Sequence, residues 1–525
     1  MTQTGIVTSP HGIASAAGLE ILREGGSAVD AAIAVAATLA VVYPHMNSIG
    51  GDGFWLIAEP GHEPIGIDAC GRSAAAASLA LYRGAGHGFI PWRGPLAANT
   101  VAGTISGWEA ARMVASRWEA PFPLERLLRD AIRFAEAGMT VTDGLAQTLT
   151  AKRGELADAP GFADVFLPNG AVPLAGAILR QPALALTLRR LAEDGLDCFY
   201  RGSLAREIAA DLERLGSPVA LADLEQQQAA IRRPLSVRLR NACLFNTAPP
   251  TQGFASLMIL ALFDRLGVEE SESFDHLHGL IEATKQAFIL RDREIGDPDH
   301  MTFDPQALLD DNIELDRMAS GIDRRHALPW PQPPSAGDTV WFGVIDGLGR
   351  SVSAIQSTYF EFGSGCVLPR TGITWQNRGA SFRLCDDGWN ALRPGRKPFH
   401  TLNPAMAVLD DGRRMVYGTM GGEGQPQTQA AIFSRYMLFG QDLQEAVTAP
   451  RWLLGRTWGE ESTTLKLENR FAPALVESLR RAGHAVELLP PFTNVMGHAG
   501  ALVEHPGGVL EGAYDPRSDG AVCSL

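Results

Sequence analysis

Thr339 carries the most chemical promise in this chain. It stands between a loop-forming stretch, Pro331 to Asp338, with three prolines, a serine and a glycine, and an apolar, β-prone run, Val340 to Ile345. Asp346-Gly347-Leu348-Gly349 then supplies a hairpin-type turn. A threonine hydroxyl is a poor nucleophile unless a base sits beside it. If the Asp338–Thr339 bond is cut, Thr339 acquires an α-amine. With a reference pKa of about 7.7–8.0, that amine can take the hydroxyl proton near neutral pH. The expectation is an amide hydrolase whose N-terminal Thr339 attacks a carbonyl to give an acyl-enzyme, which water then opens. The other reading of the same stretch is a proline-rich linker entering an ordinary hairpin.

Arg72, Arg378 and His400 are the groups that could surround a small anionic substrate, since arginine binds carboxylates bidentately. Taken singly, each also fits a surface charge or a structural pair. Phe54, Trp341, Tyr359 and Trp375 either narrow such a pocket or pack the core. The six cysteines show no CxxC pair and no metal-ligand spacing. His276 and His278, the one close histidine pair, diverge on a helix. The sequence therefore predicts neither a metal nor a cofactor. It also predicts reduced thiols, as in a cytoplasmic protein.

The elements that must position these residues follow from size and pattern. A chain of 525 residues suits two or three subdomains. Its formal charge of −14 argues against nucleic-acid and anionic-membrane partners. The start of the chain has neither a basic nor an apolar leader pattern, so no secretory signal is expected. The most apolar run, Ala31 to Tyr43, is shorter than the roughly 18 residues of a membrane span and reads as a buried helix. Ser27-x-x-Asp30 reads as its capping box. Helical spacing predicts helices over 124–137, 146–156, 178–194, 203–215, 222–228 and 274–290. Strands are predicted at 5–8, 54–57, 65–69 and 237–245. After Thr339 strands dominate, at 340–346, 351–357, 372–375, 404–410, 415–419, 464–468, 485–489 and 500–504, with helices at 428–439, 441–448 and 471–482. Helices thus cluster before Thr339 and sheet after it, which fits an α+β sandwich with helices on both faces.

Several landmarks in order then resemble the γ-glutamyltransferase family of N-terminal-nucleophile hydrolases. They are Leu22-Arg23-x-Gly25-Gly26-Ser27-Ala28-Val29-Asp30, Ile49-Gly50-Gly51-Asp52-Gly53-Phe54, the Pro249-Pro250 turn, Arg291-Asp292-Arg293-x-x-Gly296-Asp297-Pro298, Asp338-Thr339 and Met420-Gly421-Gly422. The resemblance runs nearly end to end. It implies a four-layer αββα fold and a proenzyme that cleaves itself between Asp338 and Thr339. The products would be a helix-rich large subunit, residues 1–338, and a small catalytic subunit, residues 339–525. A further dimer of that enzyme is left open. The resemblance also implies that Gly421 and Gly422 form an oxyanion hole and that Ser357 supports the nucleophile, with Thr358 beside it.

The match fails where the family binds a glutamyl group. An arginine is expected after Asp68-Ala69, but Cys70 stands there and Arg72 comes two places on. The family's amine-binding aspartate falls on Ser381, its asparagine on Tyr359, and its paired serines on His400 and Thr401. A buried substrate α-amine without a carboxylate partner would be costly. The pattern therefore resembles the non-glutamyl branch that includes oxamate amidohydrolases, and implies hydrolysis of a small carboxylate-bearing amide to the acid and ammonia. The alternatives are a γ-glutamyltranspeptidase or glutathione hydrolase, a cephalosporin-type acylase, and a non-catalytic, uncut relative.

Overall fold

A computed structural model describes residues 5–118, 120–330, 338–455 and 462–525. Two antiparallel sheets form its centre. The first contains β1 (Ile6–Ser9), β2 (Asp52–Ala58), β3 (Ile65–Ala69) and β4 (Ala230–Arg232). The second begins with β5 (Leu235–Arg238) and β6 (Ala242–Asn246). β7 (Asp338–Ile345) and β8 (Ser351–Tyr359) return to the first sheet, and β9 (Ala405–Leu409), β10 (Arg414–Thr419), β11 (Ala499–Glu504) and β12 (Leu510–Tyr514) extend the second. β13 (Ala521–Ser524) closes the first at its edge. The strand orders are β13-β1-β7-β8-β2-β3-β4 and β12-β11-β10-β9-β6-β5. Residues on either side of Thr339 contribute to both sheets, so the 338/339 boundary does not separate two packing units.

Strand alternation sorts the side chains into layers. Ile345, Leu56, Met406, Val416 and Leu502 meet between the sheets. Val340, Phe342 and Val344 face the other way and pack on α1 (Gly12–Arg23) and α2 (Ala28–Val42). The outer face of the second sheet, with Leu244, Ala405 and Tyr417, packs on α3 (Gly253–Leu266) and α4 (Phe274–Glu294). The result is the αββα sandwich. Its alanine-rich α2 is buried along its whole length, because small side chains let a helix lie close to a sheet. Ser27 and Asp30 form the capping box read from the sequence.

The run 237–245 is not one strand but the hairpin β5–β6, in which the Leu239 N–H donates to the Ala242 carbonyl at 2.9 Å. The expected strand at 372–375 forms only isolated bridges, and Trp375 there packs into the core, stacked 6.5 Å from Phe199. β12 and β13 were not anticipated. They are short edge elements: β12 folds back on β11 as a local hairpin, and β13 pairs with β1 from the other end of the chain. The segment 331–337, read as a tether, lies outside the described residues.

Candidate active site

Thr339 is the second residue of β7 and is fully buried. It shares its strand face with Trp341, Gly343 and Ile345, so its side chain belongs to the layer between the sheets. Trp341 anchors that face. Its indole donates to Ser353 Oγ at 3.0 Å, and its ring lies where a Cβ on Gly418 would stand, only 2.2 Å away. The register between β7 and β8 breaks beside Thr339. Gln356 pairs with Val340 and Tyr359 with Asp338, which leaves Ser357 and Thr358 together opposite Thr339. This bulge bends β8, as bulges beside active sites commonly do. Ser357 Oγ accepts from the Tyr359 N–H at 2.8 Å, and Tyr359 takes φ +86°, a left-handed value costly for an aromatic residue.

The Gly421-Gly422 loop lies just past the end of β10. Gly421 has φ +121° and Gly422 φ +54°, the first open only to glycine. Their N–H groups find no acceptor among the described residues. Gln252, at the head of α3, donates through one amide nitrogen to the Gly422 carbonyl at 2.8 Å and to the Thr401 carbonyl at 2.7 Å. Arg291 of α4 donates to Gln252 Oε1 at 2.8 Å and pairs with Glu423 at 3.0 Å. The loop is thus braced from below by a buried cation that is itself neutralised. Gln425 opens helix α5 (Gln425–Phe433), and its Nε2 donates to Thr339 Oγ1 at 3.3 Å.

Arg378 is 1% exposed. Its guanidinium carbon stands 3.5 Å from the centroid of the Tyr359 ring, and Nη1 donates to Thr401 Oγ1 at 3.1 Å. Nε and Nη2 have no partner, and no carboxylate of the described residues lies within ion-pair distance. Burial pulls its pKa down, opposed by Tyr359, Cys70, Asp52 and Glu423. A guanidinium nonetheless stays protonated at neutral pH. Asp52 is the hub behind it. Oδ1 accepts from the Gly71 and Gly103 N–H groups and from Gln376 Nε2, and Oδ2 faces His400 Nε2 at 3.1 Å. His400 Nδ1 accepts from the Leu402 N–H, so the ring proton sits on Nε2 and points to Asp52. Burial lifts Asp52 to about 7, against those donors, and holds His400 well below its usual value, helped by Arg378 and Lys397.

The fold thus brings together Thr339, Ser357, Tyr359, Arg378, Thr401, Gly421 and Gly422, with His400 behind them. Arg72 joins no contact of this group. It is 43% exposed and turns to Asp299 at 2.7 Å and Asp297 at 3.5 Å. There it lines an open hollow of about 310 Å³ with Cys70, Arg232 and Lys397. Ser381 donates weakly to the Phe399 carbonyl at 3.4 Å. Phe54 and Trp341 pack together between the sheets. Sequence reasoning missed Asp52, Gln252 and Gln425. The available signal was that Asp52 sits in a glycine-rich turn and Gln252 follows a proline turn, whereas Gln425 lies among other polar residues and gave no signal of its own.

Among the described residues, two groups of side chains have ligand atoms close enough to hold a cation: Asp52, Cys70 and His400, and His278, Glu282 and His484. The first faces Arg378 and Lys397, and its Asp52 oxygens are already taken by donors. In the second, the Lys285 ammonium sits 2.7 Å from Glu282. Both donor sets are arranged as hydrogen-bonded networks beside fixed positive charge, which suits neither to a divalent ion.

The gamma-glutamyltranspeptidase family model matches residues 14–525. The chain belongs to this family. An oxamate amidohydrolase proenzyme of Klebsiella pneumoniae is 54% identical over 518 residues, covering 98% of either chain. A glutathione hydrolase-like proenzyme of Bacillus subtilis is 38% identical, covering 99% of this chain and 98% of the other. The cephalosporin acylase of Bacillus halodurans superposes with a TM-score of 0.90 at 32% identity, over 99% of this chain and 96% of that one. This gamma-glutamyltranspeptidase-family chain is therefore a hydrolase with the αββα sandwich of its relatives. No helix of the described residues is long and apolar enough to cross a membrane.

Proposed function

We propose that this chain cleaves itself between Asp338 and Thr339, and that residues 339–525 then act with residues 1–338 as an amidohydrolase for a small carboxylate-bearing amide of the oxamate class. The observation that carries the substrate class is Arg378, a buried guanidinium with two donors free and no carboxylate of the described residues within ion-pair distance. An isolated buried charge is costly, and an arriving carboxylate would remove that cost while using the fork of donors. The oxamate amidohydrolase proenzyme among its relatives supports the same reading. The six free cysteines support a reducing, cytoplasmic setting.

In the reaction, the Thr339 α-amine takes the hydroxyl proton as Oγ1 bonds to the amide carbon. The tetrahedral oxyanion accepts from the Gly421 and Gly422 N–H groups. The C–N bond breaks as the α-ammonium returns its proton to the leaving nitrogen, and ammonia departs. Water, deprotonated by the same amine, attacks the acyl-Thr339 ester, and the acid leaves with Oγ1 protonated again. Arg378 holds the substrate carboxylate throughout, while Ser357 and Thr401 orient groups around it.

Purified protein on a denaturing gel should give two chains, and it should release ammonia from oxamate faster than p-nitroaniline from a γ-glutamyl anilide. A single band near 56.2 kDa with no amide turnover would overturn the reading. Preferred cleavage of the anilide would replace it with a γ-glutamyl one.

A further inference from the structure

Gln425 is fully buried, at the first position of α5, four residues past Gly421. One end of its carboxamide is used, since Nε2 donates to Thr339 Oγ1 at 3.3 Å. The other end is not. Oε1 is buried and has no donor among the described residues. Asn99, Gln376 and Asn403 also leave a buried amide oxygen open, but among the described residues Gln425 is the one of these four whose other amide atom holds Thr339. A donor does arrive when the chain is cut. Breaking the Asp338–Thr339 bond turns an amide nitrogen into an α-amine on the residue whose hydroxyl Gln425 already holds. Within one threonine in the gauche rotamer, N and Oγ1 lie side by side, a little farther apart than the two heteroatoms of one carboxamide. A single side chain can therefore engage both.

We propose that Gln425 is a catalytic residue that grips Thr339 at two atoms, donating through Nε2 to the nucleophilic Oγ1 and accepting through Oε1 from the α-amine. The inference rests on Thr339 as nucleophile, which the Thr339→Ala variant tests separately. An acceptor stabilises the ammonium more than the neutral amine, so the contact strengthens as the hydroxyl proton moves onto nitrogen. The donor at Oγ1 leaves that oxygen's own proton free to point at the amine. Gln425 thereby favours the transition state over the resting state. It does so without a charge of its own, so it raises the amine's pKa less than a carboxylate would. The ionisable groups on the surrounding elements are Tyr359 at the end of β8, Arg378 stacked on it, Asp52 with His400, and Glu423 with Arg291. Among the described residues none of them shares a hydrogen bond with the Gln425 side chain.

The test compares Gln425→Leu and Gln425→Glu through the acid limb of kcat/KM, which reports the pKa of the free enzyme's base. Leucine removes the acceptor, so the limb should move to lower pH, with kcat down about 10- to 100-fold and KM little changed. Glutamate places an anion beside the ammonium, so the limb should move to higher pH. Opposite shifts from two substitutions of similar size are not what a packing defect gives. Wild-type limbs in both variants would overturn the proposal. So would a KM change confined to primary amides and absent for an ester, since that would assign Oε1 to the substrate nitrogen. If Gln425→Leu stays uncut, the near-isosteric Gln425→Glu decides alone. If neither variant cuts itself, Gln425 serves the precursor's fold, and the proposal fails.

Discussion

Arg378 stacks its guanidinium 3.5 Å from the centre of the Tyr359 ring, and Tyr359 is the strand partner of Asp338, the residue before Thr339. The charge that would receive a substrate carboxylate is thus fixed directly to the strand pair that presents the nucleophile. Arg378→Met keeps the stem but loses the charge and the fork. Kinetics should show kcat/KM for a carboxylate-bearing amide falling about 10- to 100-fold, the range of one or two charged hydrogen bonds. Self-cleavage needs no substrate carboxylate and should proceed, as a gel would show. Loss of cleavage together with activity would give Arg378 a structural role instead.

Thr339→Ala should remain one chain near 56.2 kDa and should release no ammonia. Thr339→Ser retains a hydroxyl and should cut itself slowly. Normal processing of the alanine variant would move the nucleophile elsewhere.

Gly421 has φ +121°, and a Cβ there would stand 3.3 Å from the Cα of Gly497. Gly421→Ala should re-aim the loop N–H groups. With one oxyanion donor lost, kcat should fall about 10²- to 10³-fold while KM holds. Strain of about 1–3 kcal/mol should lower the melting temperature modestly. An unchanged kcat would remove this loop from the reaction.

Burial holds His45, His276 and His484 down at about 3 and His498 at about 4. Between those values and the unfolded pKa of about 6.5, the unfolded chain binds more protons. Stability from these groups is therefore complete above pH 6.5 and falls as the pH drops. Asp52, raised to about 7, works oppositely: its contribution is complete below 3.8 and is lost as pH rises through 7. Four groups outweigh one, so the melting temperature should climb from pH 4 to about 6.5 and then level or dip slightly. His498→Gln should flatten the acid slope, and a melting temperature indifferent to pH across that range would contradict these assignments.

Much of the fold was legible because it is written in local periodicity. The helices at Leu124–Ala137 and Ser203–Leu215 fall where apolar spacing put them, and the hairpin after Ile345 follows from its turn residues. What periodicity could not give was pairing across the fold. β13 is an edge strand defined by a partner about five hundred residues away, β12 closes a local hairpin with β11 that its short sequence did not announce, and the 237–245 run gave no sign of its internal turn.

The site divides along the same line. The sequence by itself determined that Thr339 heads a buried apolar strand, that a glycine pair follows a later strand, and that the chain carries the landmarks of its family. Each is a property of neighbouring residues. It could not separate Arg72 from Arg378, since both are arginines beside turns. Only the tertiary structure did, by giving Arg72 two aspartates and solvent and by burying Arg378 against Tyr359 with no ion-pair partner among the described residues. The bulge opposite Thr339, the Asp52–His400 pair and the grip of Gln425 on Oγ1 were decided in the same way. Whether a charge is paired and whether a polar atom is left unsatisfied depend on which distant segments exclude water from it, and that is settled only when the sheets close on each other.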